Sequence, residues 1–118
     1  MTIDEVERLA MSLPEVVQEP HFQMTSFRIR GKIFATITPD KAHLHLFVAE
    51  QERETMVTLH PEAYEKLWWG SKVVGLRVKL PAAATGDMQE LLRSAWLRKA
   101  PKKLLNLLQK DRDHGVSE

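Results

Sequence analysis

Phe27-Arg28-Ile29-Arg30-Gly31-Lys32-Ile33-Phe34-Ala35-Thr36-Ile37 is the stretch that decides the fold. Phe27 and Ile29, then Ile33, Ala35 and Ile37, alternate with polar or charged neighbours. Period-two alternation marks strands with one buried face. Gly31 between the two runs predicts a hairpin turn. Leu44 and Leu46 continue the pattern beyond Thr38-Pro39-Asp40-Lys41, a second turn signal. Residues 24–47 are therefore expected to form a three-stranded antiparallel meander.

Outward from this meander the period changes. Ile3, Val6, Leu9, Ala10 and Leu13 fall on one helical stripe, and Pro14 stops it. Thr2 and Glu5 have the spacing of a capping box, which satisfies free N–H groups at a helix start. Residues 49–59 are charge-rich and predict a short surface helix. Pro61 to Leu67 predicts another helical turn or two, closed by Trp68-Trp69-Gly70. Val74, Leu76, Val78 and Leu80 alternate with Val73, Gly75, Arg77 and Lys79, a fourth strand ended by Pro81. Asp87 and Glu90 have capping-box spacing before the Met88, Leu91, Leu92, Ala95, Trp96 face of a long helix. Pro101 interrupts it, and Leu104, Leu105, Leu107 and Leu108 form a further apolar face.

Segregated strands and helices predict an α+β single domain. It consists of an antiparallel sheet of about four or more strands, with amphipathic N- and C-terminal helices packed on one face. The domain is expected over residues 1–110, with 111–118 a flexible C-terminal tail. The 118 residues suit one such core.

Composition removes several classes of function. There is no cysteine, so thiolate metal sites, disulfides and cysteine nucleophiles are absent. No apolar run approaches the roughly 18 residues of a membrane span. The acidic start, Met1-Thr2-Ile3-Asp4-Glu5, lacks a signal-peptide layout, and a cytoplasmic location is expected. No P-loop, Gly-x-Gly-x-x-Gly or Gly-x-Ser-x-Gly pattern occurs. Net charge is +1, but unevenly distributed. Residues 1–59 hold six Lys/Arg against nine Asp/Glu, and residues 60–118 hold eleven against seven.

Strand parity places the candidate binding residues. With Phe27 and Ile29 inward, Arg28 and Arg30 share the outer face, and Lys32 adjoins at the turn. Arg77 and Lys79 face away from Val78 and Leu80. Phe34, Thr36, His43, His45 and Phe47 take the same outer parity. A face mixing cations and rings suits nucleic acid, with cations meeting phosphates and rings stacking on bases. An ordinary solvated sheet face is the alternative. Lys72 and Lys102 are possible additions to that surface. The His43-x-His45 pair could chelate a metal, but no third ligand is placed by the sequence, so no metal is expected. Glu19 and His21 flank Pro20 in what reads as a turn, with Phe22 packing. Trp68 and Trp69 are adjacent, so one is expected to pack while the other lines a cleft for a small ligand or protein partner.

Several of these segments together resemble the MmcQ/YjbR-like family. They are Glu19-Pro20-His21-Phe22, then Thr25 through Ala35, the Leu13-Pro14-Glu15 helix end, the Leu91-Leu92-x-x-Ala95-Trp96 run and Ala100-Pro101-Lys102-Lys103-Leu104. The likeness spans about residues 2–105. One departure is that family members often carry a Gly-Trp or His-Trp pair near position 75, where this chain has Gly75-Leu76. The resemblance implies a CyaY-like α+β fold and DNA binding, and it brings no catalytic residues. The leading expectation is thus a monomeric, non-enzymatic domain without cofactors. It would contact DNA phosphates through Arg28, Arg30, Lys32, Arg77 and Lys79, with Lys72 and Lys102. The alternative is a non-enzymatic module using a cleft at Trp68 and Trp69.

Overall fold

The computed structural model describes residues 1–116, with side chains described through residue 110; the sequence-expected tail at 111–118 falls outside those side chains. The order is α1 (Ile3–Met11), β1 (Val16–His21), β2 (Met24–Ile29), β3 (Lys32–Ile37), β4 (His43–Leu46), α2 (Glu50–Leu59), β5 (Tyr64–Trp69), β6 (Lys72–Lys79), a 3-10 turn (Leu80–Ala82), α3 (Thr85–Lys99) and α4 (Lys102–Val116). The strands form one antiparallel sheet in the order β1-β2-β3-β4-β6-β5. Among the described residues no helix is long and apolar enough to cross a membrane.

The α+β reading holds, and the sheet has six strands. The two strands the sequence did not reveal, β1 and β5, are its edges. In β1 only Val16 is buried, so no alternation survives, and Pro20 is tolerated there because an edge strand can spare an N–H. Residues 61–67 are not helical as expected. Turns at 61–63 lead into β5, which buries Tyr64 and Leu67. Burial, with Asp87 and Glu62 nearby, pushes the Tyr64 phenol up to about 12.

Helix starts divide in the same way. Thr2 Oγ1 accepts from Glu5 N at 3.2 Å and donates to the Glu5 carboxylate, so the expected cap on α1 is present. The expected cap at Asp87 is not. α3 begins two residues earlier, at Thr85, and its N-cap Ala84 supplies no side-chain hydrogen bond.

α1 and α3 cover one sheet face. Val6 and Ala10 from α1, and Met88, Leu91, Leu92, Ala95 and Trp96 from α3, join Phe27, Ile29, Ala35, Ile37, Leu44, Leu46, Leu76 and Val78 in one core. Trp96 Nε1 donates to the Pro14 carbonyl at 3.0 Å, tying α3 to the end of α1. A bulge between Phe27 and Arg28 changes the expected parity of β3. Phe27 pairs with Ala35 but Arg28 with Ile33, leaving Phe34 as the extra residue. Phe34 is consequently fully buried in the core, and Ile33 is only half-buried.

The turns carry the positive φ values that two-residue hairpins need, +48° at Arg30 and +83° at Gly31. In the β3–β4 turn, Asp40 accepts from Thr38 Oγ1 and Ala42 N and pairs with His43, which holds its carboxyl far below the usual range.

Gly75 sits where the chain leaving β4 crosses β6. A Cβ there would lie 2.5 Å from the Leu46 carbonyl oxygen. Gly75→Ala is expected to lose about 1–3 kcal/mol of stability through this overpacking. Gly86→Ala, with nothing within 4 Å of the added carbon, should leave stability unchanged or slightly raised. Urea denaturation midpoints of the two variants check the contrast.

Candidate functional site

Strand pairing lays one polar row across all six strands. Glu19 lies beside Ser26, Ser26 beside Thr36, Thr36 beside His45, His45 beside Arg77, and Arg77 beside Glu65. All six share a face because paired residues point the same way. This is the outer face expected from parity, but its cations are not free. Arg28 Nε lies 3.4 Å from Glu19 and donates to Ser26 Oγ at 3.0 Å. Arg77 lies 3.1 Å from Glu65, and Lys79 3.9 Å from the same carboxylate. Arg30 stands in the hairpin turn rather than on the sheet and forms a two-pronged pair with Glu15 at 3.0 and 3.1 Å. That pair lowers the Glu15 carboxyl and raises the Arg30 guanidinium, chiefly through the hydrogen bond itself.

Lys32, Lys72 and Lys102 have no ion pair among the described residues. β3 and β6 both run antiparallel to β4, so their starts, Lys32 and Lys72, lie at the same end of the sheet.

The same end opens into a cleft of about 580 Å³ that continues across the outer face. His21 and Met24 come from the β1–β2 hairpin, and Ile33, Thr36 and His45 form mid-sheet lining. Phe47, Trp69 and Val73 line the far part, and Val48, Glu50, Arg53, Arg98 and Lys99 contribute from the helical side. Phe47 and Trp69 meet edge to face, centroids 5.8 Å apart. Lys99 Nζ sits 5.8 Å from the Phe47 ring. Arg98 Nη1 donates to the Phe47 and Val48 carbonyls at 3.3 and 3.2 Å, fixing the chain as it leaves β4.

Of the two tryptophans, the structure brings Trp69 to the cleft and leaves Trp68 outside it. Trp69 remains 61% exposed and Trp68 55%. A bulge between Leu67 and Trp68 sets this arrangement. Phe22, expected to pack, is instead 91% exposed at the tip of the β1–β2 hairpin, its ring against His21. Arg53, Arg98 and Lys99 were not singled out for the cleft from sequence. They reach it by tertiary folding, and no local motif marks them.

Two arginines orient two cleft histidines. Arg28 Nη2 lies 3.4 Å from His21 Nδ1, and Arg77 Nη1 lies 3.3 Å from His45 Nε2. A guanidinium only donates, so the ring nitrogen facing it is placed to accept. Burial lowers the pKa of His45, and the Arg77 and His43 charges add to the effect. His43 Nδ1 is engaged by Asp40 at 3.0 Å. No group of three or more His, Asp or Glu that could hold a metal occurs among the described residues.

Comparison with known proteins bears on the fold. The YjbR family model matches residues 11–98. The crystal structure of Deinococcus radiodurans protein DR2400, a DUF419 domain, superimposes with a TM-score of 0.70 at 23% identity. The match covers 81% of this chain and 76% of that one. A search of curated proteins gives no match.

His45 provides a pH test. Its folded pKa lies below the ordinary value near 6.5, so the unfolded chain binds the proton more readily. The stability it contributes is complete above that ordinary value and is lost as pH falls through the folded pKa. His45→Gln is expected to flatten the fall in stability between about pH 7 and pH 5. Urea melts across that range check it. An unchanged slope would show that His45 is not responsible.

Proposed function

The chain belongs to the YjbR family, and we propose that it is a non-enzymatic binding domain, a cytoplasmic monomer, whose cleft at Phe47 and Trp69 takes a flat small molecule. One observation carries this reading. An indole that is 61% exposed stands edge-on to Phe47 and lines a cleft of about 580 Å³. That volume lies within the range of small-ligand sites. Aromatic surface left in contact with water is costly, and a planar ligand packed against these rings would remove that cost. Ile33, Val48 and Val73 give the cleft apolar walls, while Thr36 and the His21 and His45 rings supply a few polar groups.

Binding rather than catalysis is favoured because the two cleft histidines, His21 and His45, are engaged by arginines, which are in turn paired with glutamates. Among the described residues no hydroxyl hydrogen-bonds to either ring.

A fragment panel of planar aromatics, read by backbone-amide NMR and tryptophan fluorescence, tests the proposal. Responses should cluster at Phe47, Trp69 and Val73. Trp69→Ala should weaken binding about tenfold, the order of a lost stacking contact. Trp68→Ala should leave it intact. Equal effects of the two variants, or responses elsewhere, would overturn the proposal.

DNA is the second reading, favoured by Lys32 and Lys72 standing unpaired at one end of the sheet. Arg28, Arg30, Arg77 and Lys79 each already have a carboxylate partner, so on this reading the unpaired lysines would carry most of the contact. Contact by Lys32, Lys72 and Lys102 alone gives a log–log salt slope of about −2.7 on duplex DNA, against about −4.5 for five cations. Anisotropy titrations over a salt series distinguish the two, and Lys32→Ala with Lys72→Ala should abolish the signal. Insensitivity to that double substitution would remove this reading.

A further inference from the structure

The charges around the cleft are unequal in number and unequally used. Arg53, Arg98, Lys99 and Glu50 line it. Arg98 is spent on two backbone carbonyls. Glu50 is largely exposed, and its carboxylate lies 3.9 Å from Arg53 Nη2, beyond hydrogen-bond reach. Glu54, 3.8 Å from Arg53 Nε, is likewise beyond hydrogen-bond reach.

Arg53 is the anomaly. Its side chain is only 11% exposed, and its Nε is buried with no hydrogen-bond partner. A guanidinium carries five N–H donors and cannot shed its charge. Burying one without an acceptor is unfavourable, and such orphans call for a partner that the chain itself does not supply. Lys99 has no ion pair among the described residues, and its ammonium stands near the Phe47 ring. Lys99, and Arg53 with its Nε lacking a hydrogen-bond partner, thus line the same cleft as the aromatic pair. The nearby histidines add N–H groups rather than negative charge.

We infer that the ligand of this cleft is a flat organic anion, its ring against Phe47 and Trp69 and its carboxylate or phosphate group on Arg53 and Lys99. The inference rests on the small-molecule reading above and narrows it to an anion. A planar oxyanion can take two parallel N–H bonds from a guanidinium, a geometry that an ammonium cannot offer. Arg53 would then be the specificity-determining contact, with Lys99 adding charge at the rim.

Three probes of the same ring test it by calorimetry on the full chain: naphthoate, naphthyl phosphate and the uncharged naphthalenemethanol. At least one anion should bind about tenfold or more tightly than the alcohol, as a charge-assisted bond implies. That margin should shrink as salt is raised. Arg53→Gln should bring the anion down to the affinity of the alcohol for the unmodified protein. Lys99→Gln should take away part of the margin, and Arg93→Gln, an exposed site on α3 outside the cleft, none of it. The preferred anion, naphthoate or naphthyl phosphate, identifies the oxyanion. Equal affinity for all three probes would overturn the inference while leaving the small-molecule reading intact. If none of the three bound, both would fall. If Arg53→Gln did not fold, the anion–alcohol comparison on the unmodified chain and the Lys99→Gln measurement would still decide it.

Discussion

Four residue pairs join the two halves of this sheet: His43 with Lys79, Leu44 with Val78, His45 with Arg77 and Leu46 with Leu76. Each of the other ladders links strands adjacent in sequence. The β4–β6 ladder alone brings together segments separated by a helix and another strand. Without it the chain would be a four-stranded meander and a separate hairpin, and an isolated hairpin is marginal in water. The constraint is tight because β4 is short and its exit passes directly over β6. Gly75 leaves the space for that crossing. Leu44, Leu46, Leu76 and Val78 bury their side chains on one side of the ladder while His43, His45, Arg77 and Lys79 stand on the other. One pairing thus fixes both the core and the outer face.

Much of this was legible beforehand, for identifiable reasons. β2, β3, β4 and β6 are interior strands, and a strand buried on one face writes a period-two pattern into the sequence. β1 and β5 are edges with little to bury, so Gln18, Glu19, Glu65 and Lys66 obscure any alternation. The Phe34 bulge was equally hidden, because a bulge depends on the partner strand rather than on local residue type. Thr2 and Glu5 form a cap and Asp87 and Glu90 do not, although the two spacings are identical. The difference is where each helix begins: α3 starts at Thr85, whose hydroxyl reaches Glu5 on α1. The same limit governed the site. Parity correctly placed Arg28 and Arg77 on the outer face, but not the strand neighbours Glu19 and Glu65 that neutralise them.

That neutralisation changes what the outer face can do. Exposed ion pairs contribute little to stability, yet they remove charge that a phosphate backbone would need. Arg28 and Arg77 act instead as links, each joining a glutamate on an edge strand to a histidine at the cleft. The two arrangements, Glu19-Arg28-His21 and Glu65-Arg77-His45, occupy opposite sides of the sheet and share one logic. Each sets a guanidinium beside one ring nitrogen of an imidazole. The polar row thus places ion-paired arginines beside the histidines that line the cleft.

The cleft itself follows from the crossing at Gly75. The β5–β6 hairpin runs on past the end of β4, so Trp69 and Val73 have no neighbouring strand on that side. The chain leaving β4 turns away there as Phe47 and Val48, held by Arg98, and leads into α2. An overhanging hairpin and a departing chain leave a gap that no remaining segment of the described residues fills. Its walls are aromatic because Phe47 and Trp69 fall at that gap, and it is cationic because α2 and the end of α3 converge behind it. The exposed indole of Trp69 and the Arg53 Nε that lacks a hydrogen-bond partner belong to residues lining the same cavity. On the proposed reading, a planar anion in this cavity would meet both the exposed ring and the arginine.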